Sequence, residues 1–456
     1  MKSFSISMIF RSITMILGLF ALSVAPAAAQ TDCAVQSDIP AIECEALLTL
    51  FNGNQGFRWD NSAGWNSNNF PCSWYGVTCS GGRVTELDLQ DNDVWDELPA
   101  ELGDLTELTH LFLGENFLDG TIPAEIGQLT NLVELTLGAG SLRAPYPPEL
   151  SNLVNLRRLE LSGLFEEPLP PAITGLTELR TLVLGARMTG AIPPAIGNLT
   201  NLEILRLTVN HFAGPIPPEI GNLVNLQEFR LFQHRHTITG PIPPEIGNLV
   251  NLRILDFGGL ALDAPLPPEF GDLGSLEFLG IASSRLTAPL PPEMGNLDNL
   301  RTLDMPYNHI FGELPPELGD LNSIERIVLS NNFLFGPIPP ELANAPNLVA
   351  LQLEHNQLTG PIPLELGNAP SLTFLNLQHN NLSGEIPTEL INLQPELFLL
   401  RLDHNCLTAS DPTLVAFLDK VNPNWRDGQC SAIFEDQFES GDTSGWTAVM
   451  PPLPAP

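Results

Sequence analysis

The chain has 456 residues, enough for two or three ordinary domains or one long repeat array. It carries 19 Lys+Arg against 53 Asp+Glu, a formal net charge of -34. A surface this acidic repels phosphate, so nucleic acid and anionic membrane are poor partners and basic ligands or cations fit better.

The amino terminus reads as a secretory signal over 1–29. Lys2 and Arg11 supply positive charge, an apolar run follows from Ile13 to Val24, and Ala27-Ala28-Ala29 offers a small-residue cleavage site. That run is short for a membrane span, and no later segment has roughly 20 uninterrupted apolar residues. The reading is therefore an exported chain, secreted or at the cell surface, without a transmembrane anchor. Six cysteines suit an oxidising compartment. They fall as Cys33/Cys44, Cys72/Cys79 and Cys406/Cys430, so three local disulfides stapling the two ends are expected. Zinc is the competing reading, but no His accompanies the first four at ligand spacing.

Between these ends the sequence repeats. Leading apolar residues from Val84 to Leu397 mark fourteen units, mostly 24 residues apart. One unit, IERIVLSNNFLFGPIPPELANAPN (324–347), shows the design. Ile327 and Leu329 alternate with Val328 and Ser330, the period of a short strand. Such a strand cannot bury its apolar side alone; stacking buries a continuous core and pairs the strands in parallel. Asn332 is expected to satisfy backbone groups of the turn and of the next coil. Gly336 permits a tight bend, and Pro339 and Pro340 start a short helical turn with Glu341 near its positive end. Eleven glutamates recur at that last position and read as a structural row.

These units resemble leucine-rich repeats of the plant type, with its L-x-G-x-I-P segment. The flank 46–79, with its Cys-x6-Cys pair Cys72 and Cys79, is similar to the amino-terminal cap of plant leucine-rich-repeat receptors. Residues 406–430 look like a carboxy-terminal cap. The resemblance implies a curved right-handed solenoid with a parallel β-sheet on the concave face and short turns on the convex face. The expected organisation is signal peptide 1–29, amino-terminal cap 30–83, repeats 84–405, carboxy-terminal cap 406–430 and an acidic, Pro-rich tail 431–456.

Departures from the repeat point to candidate function. The ladder Asn is missing from the third to fifth and seventh to ninth units, where Leu164 and Leu260 are expected to be buried in its place. The seventh unit is longer by an insertion in FQHRHTITG (232–240), which carries His234, Arg235 and His236. The resemblance places ligand binding on the concave face, where three clusters stand out. Arg206 and Arg230 share one strand position in adjacent units, with Glu228 as a possible internal partner and Arg158 and Arg235 nearby; the alternative is a site for a ligand carboxylate. His355, His379 and His404 each precede a ladder Asn and form a row. No metal or other cofactor is expected there, because ligands in a straight ladder do not converge on one ion. Phe112, Phe232, Phe278, Tyr307 and Phe374 are aromatics at outward strand positions.

Neither G-x-S-x-G nor a phosphate loop is present. The expectation is a non-catalytic scaffold binding a protein or peptide through a rigid surface. Two alternatives stay open: an adhesive or structural surface protein binding glycans or cations, and an inhibitor of an extracellular hydrolase, by similarity to plant polygalacturonase inhibitors.

Overall fold

The computed structural model describes residues 30–430, apart from 139, 186, 233–235 and 394–395. The expected signal peptide and acidic tail lie outside the described residues. Within them runs a sheet of 15 strands, in chain order from Val77–Ser80 to Leu399–Arg401. Only its first pair is antiparallel; every later pair is parallel and in register.

The alternation read from the sequence sets this sheet. Inward apolar residues such as Leu205, Phe229, Leu255 and Leu279 form one buried column, each paired with its counterpart on the next strand. Behind them lie 3-10 turns opened by proline, as in Pro340–Asn344, and all eleven repeat glutamates fall in the first turn of such a segment. The following glycine lets adjacent turns touch. A Cβ on Gly221 would come within 2.5 Å of the Glu245 carbonyl oxygen, a contact no side chain tolerates.

The ladder asparagines are buried and reach backward, not forward as the sequence reading held. Asn332 Nδ2 donates to the Met305 carbonyl (3.0 Å), and its Oδ1 accepts from Ile310 N–H (3.1 Å), both on the preceding coil. The carboxy-terminal cap continues the device. Gln429 Nε2 donates to Leu402 O (2.9 Å) and its Oε1 accepts from Leu407 N–H (2.7 Å), at the same sequence offsets of 27 and 22 residues. In the ninth unit Ser284 takes over part of this duty, its Oγ accepting from Leu260 N–H.

Where the ladder Asn is lost the turns change, as expected. A second sheet of six strands runs from Thr287–Ala288 to Cys406–Thr408, and a two-stranded one joins Trp95–Glu97 to Phe117–Asp119. Between them, among the described residues, only isolated bridges such as Arg143↔Leu164 and Thr239↔Ala261 remain. Leu260 is buried as anticipated, but Leu164 is half-exposed; the neighbouring Phe165 turns inward and stacks on Tyr146 at 4.2 Å.

The three disulfides pair as expected: Cys33–Cys44, Cys72–Cys79 and Cys406–Cys430. In the amino-terminal cap, Trp59 and Trp65 pack against Phe51, and Trp74 packs on Trp65. Fully buried Glu43 joins this cap to the first coil, accepting from Arg83 and from Val84 N–H (2.9 Å). At the other end, Asp411 caps helix Pro412–Val421 by accepting from Thr413 and Leu414 N–H. No described helix is long and apolar enough to cross a membrane.

Candidate ligand-binding face

Three columns of side chains point outward from the long sheet. The register places Arg206, Arg230, Asp256, Gly280 and Asp304 side by side in the middle column, on strands about 4.8 Å apart. The two arginines do not stand unopposed. Glu228, only 9% exposed, takes a bidentate contact from Arg206 (2.7 and 2.9 Å) and a further one from Arg230, which also reaches Asp256 Oδ2 at 2.8 Å. Burial pushes the Glu228 pKa up, but the hydrogen bonds from Arg206 and Arg230 outweigh it and hold it below the usual carboxylate range. The arginine pair is thus internally neutralised. Arg158 stands apart, paired with Glu160 on its own strand.

The next two strands differ. Burial raises the pKa of Asp256 despite Arg230, and burial raises that of Asp304, with Arg326 opposing and Asp256 adding to the shift. Between these carboxylates Gly280 presents no side chain. A Cβ there would meet the Phe278 ring at 2.7 Å and Asp256 Oδ1 at 3.2 Å, so the ring leans across the glycine beside the acid. Phe232 leans likewise across Gly258, on the strand next to its own. Tyr307 is 63% exposed but, contrary to the sequence reading, occupies no strand. Its φ is 56°, and it sits in the turn before ladder Asn308. Phe112 and Phe374 lie on distant strands and do not join this group.

Tyr307 therefore shares a column with the histidines. His355, His379 and His404 all have φ between 54 and 57°, and their rings stack at 4.3 and 4.0 Å. Burial lowers the His379 pKa, as do the adjacent His404 and His355, with Asp403 opposing. In the insertion, His234 and Arg235 lie outside the described residues; His236 Nδ1 is 3.0 Å from the Leu260 carbonyl. The sequence reading missed the lateral sheet, where Phe311, Phe333 and Phe335 are each nearly half exposed. Their alternation in HIFG and FLFG was the signal available.

A parallel strand ladder backed by proline-opened 3-10 turns, with buried asparagines and disulfide-closed ends, is a leucine-rich-repeat solenoid. The chain matches the models for a leucine-rich repeat region over 141–258, a leucine rich repeat N-terminal domain over 43–80, and leucine rich repeats at 299–321, 347–369 and 371–393. Among solved structures it is similar to the plant peptide hormone receptor RGFR1 in complex with RGF2, at 35% identity and TM-score 0.68, covering 72% of this chain and 53% of that one. It is also similar to PEPR1–AtPEP1, at 30% identity and TM-score 0.68, covering 80% and 55%. A leucine-rich-repeat protein of Leptospira interrogans matches at 28% identity and TM-score 0.56, covering 73% of this chain and 89% of its own. The chain thus spans little more than half the length of the first two of these chains.

Proposed function

We propose that this protein is an exported, non-catalytic scaffold that captures a basic peptide, or a basic segment of a protein, on its strand face around Phe278, Asp304 and Tyr307. The observation that carries the reading is the pair of half-buried carboxylates, Asp256 and Asp304, on either side of Gly280 and the Phe278 ring that leans over it. A Lys or Arg side chain laid over this ring, with its charged end at Asp304, would relieve the unfavourable burial of Asp304 and rest its aliphatic stem on Phe278. The surrounding sheet is held by a continuous core, so little order is lost on binding. One similar structure is that of a plant peptide hormone receptor, which supports a peptide over a small molecule. The disulfides support an oxidising, extracellular setting.

Reversal of Arg206 and Arg230 to Glu is a poor probe, because it strands Glu228 among like charges. A displayed library of random peptides, selected on the full chain, tests the reading directly. Enriched peptides should carry Lys or Arg beside an aromatic residue. Phe278→Ala and Asp304→Asn should each weaken their binding by about tenfold, roughly 1.4 kcal/mol, without lowering the melting temperature. Selected peptides that bind both variants as tightly as the parent would rule out this face.

A further inference from the structure

We propose that His379, Asp403 and His404 form a binding site for a transition-metal dication of the Zn²⁺ class, at the carboxy-terminal end of the strand face. A row of imidazoles alone carries no such site, because rings stacked along one column point the same way. Here a second column supplies the missing direction. Asp403 is 7% exposed, and its Oδ2 lies 3.0 Å from His404 Nδ1. Its other oxygen, Oδ1, is buried without a hydrogen-bond partner. A buried carboxylate oxygen left in that condition is unfavourable by about 1–3 kcal/mol or more, and a cation is the partner that satisfies it best.

One donor atom from each of His379, Asp403 and His404 lies within 4.8 Å of the other two. Zinc bonds of about 2.0–2.2 Å hold tetrahedral ligands roughly 3.3 Å apart, so closure needs shifts of at most about 1.5 Å. The partly exposed rings of His379 and His404 can supply these by side-chain rotation, with Asp403 as the fixed point. Two nitrogens and one carboxylate oxygen suit zinc, cobalt or nickel better than calcium or magnesium, which take oxygen ligands. With three protein ligands, the fourth position is left to water or to an incoming group. The site also abuts the carboxy-terminal cap, since a Cβ on Gly428 would meet the His404 ring at 2.3 Å. His355, stacked on the far side of His379 at 4.3 Å, belongs to the row but not to the convergent group.

The test is calorimetric titration of untagged, EDTA-treated full chain with ZnCl₂, repeated with CoCl₂ to read coordination geometry from the visible absorption. Wild type should bind one Zn²⁺ per chain, and the Co²⁺ spectrum should be that of a tetrahedral site. His379→Gln, at a partly exposed ring that the fold does not need, should weaken binding about 100-fold, and Asp403→Asn by at least about tenfold. His355→Gln should leave the affinity within about twofold of wild type. Circular dichroism of each variant checks that the solenoid is intact. Three results overturn the proposal: no saturable Zn²⁺ binding by wild type, unchanged affinity in folded His379→Gln, or an equal loss in His355→Gln. The last would assign the metal to the row.

Discussion

Asp304 illustrates what a single position on this face does. Burial raises its pKa above the unfolded value, so its ionisation opposes folding: stability is greatest when the group is protonated and falls as pH rises through the folded pKa. Asp304→Asn should therefore raise the melting temperature at pH 7, and the gain should vanish at pH values near or below about 3.9, the unfolded value. A melting series from neutral to acid checks this; a gain that persists unchanged into acid would contradict it. Glu228 has the opposite sign, with stability present above its unfolded pKa and lost as pH falls through the depressed folded one. That Glu228 might neutralise the arginines was legible in the sequence, since all three sit at outward strand positions of adjacent units. That Asp304 stands half-buried on the strand beside Gly280 was not, because it depends on the lean of the Phe278 ring over that glycine. Tyr307 was misplaced for a related reason. Alternation tells which side a residue faces but not where a strand ends.

At the scale of the element, two glycine columns do different work, and the repeat pattern does not distinguish them. Gly360 has φ of 76° with its nearest neighbour, Pro337 Cβ, 3.9 Å from a would-be Cβ. Gly360→Ala thus meets open space and bears only the left-handed backbone penalty, about 1–2 kcal/mol. Gly221 has no such backbone constraint, yet an added Cβ would collide with the Glu245 carbonyl on the next turn. Gly221→Ala must therefore push two coils apart and disturb the leucine column beneath them. Its urea midpoint should fall further than that of Gly360→Ala; the reverse order would mean that the 3-10 turns yield easily. The motif GPIPPEIGNLVNL, which occurs at 214–226 and 240–252, contains both kinds of glycine. Its recurrence reports how coils stack and turn and says nothing about a ligand.

Over the whole molecule, the scaffold was readable because it is written many times, and the averaging that exposes a repeat removes whatever occurs once. Phe278, Gly280, Asp304 and Asp403 are single events in positions the repeat leaves free, and only the register brings the first three together. The closing of the array was also hidden, because Gln429 does not look like a ladder residue until its hydrogen bonds are traced. Gln429→Ala leaves the Leu407 amide without its side-chain acceptor and the Leu402 carbonyl with Asn405 Nδ2 as its remaining side-chain donor, a loss of about 1–3 kcal/mol. Because each coil contacts only its neighbours, the effect should stay local. Hydrogen exchange should speed up at Leu407 and around the Cys406–Thr408 strand while the first coils keep their protection; uniform loss along the chain would refute this. The backward reach of the ladder amides also has a meaning in time. A ribosome releases the amino-terminal coils first, and each remains unfinished until the asparagine of the following coil has emerged. Structure can then form only one coil behind synthesis, and an interrupted chain always ends in a coil awaiting its seal. Gln429 is the residue at which that wait is over.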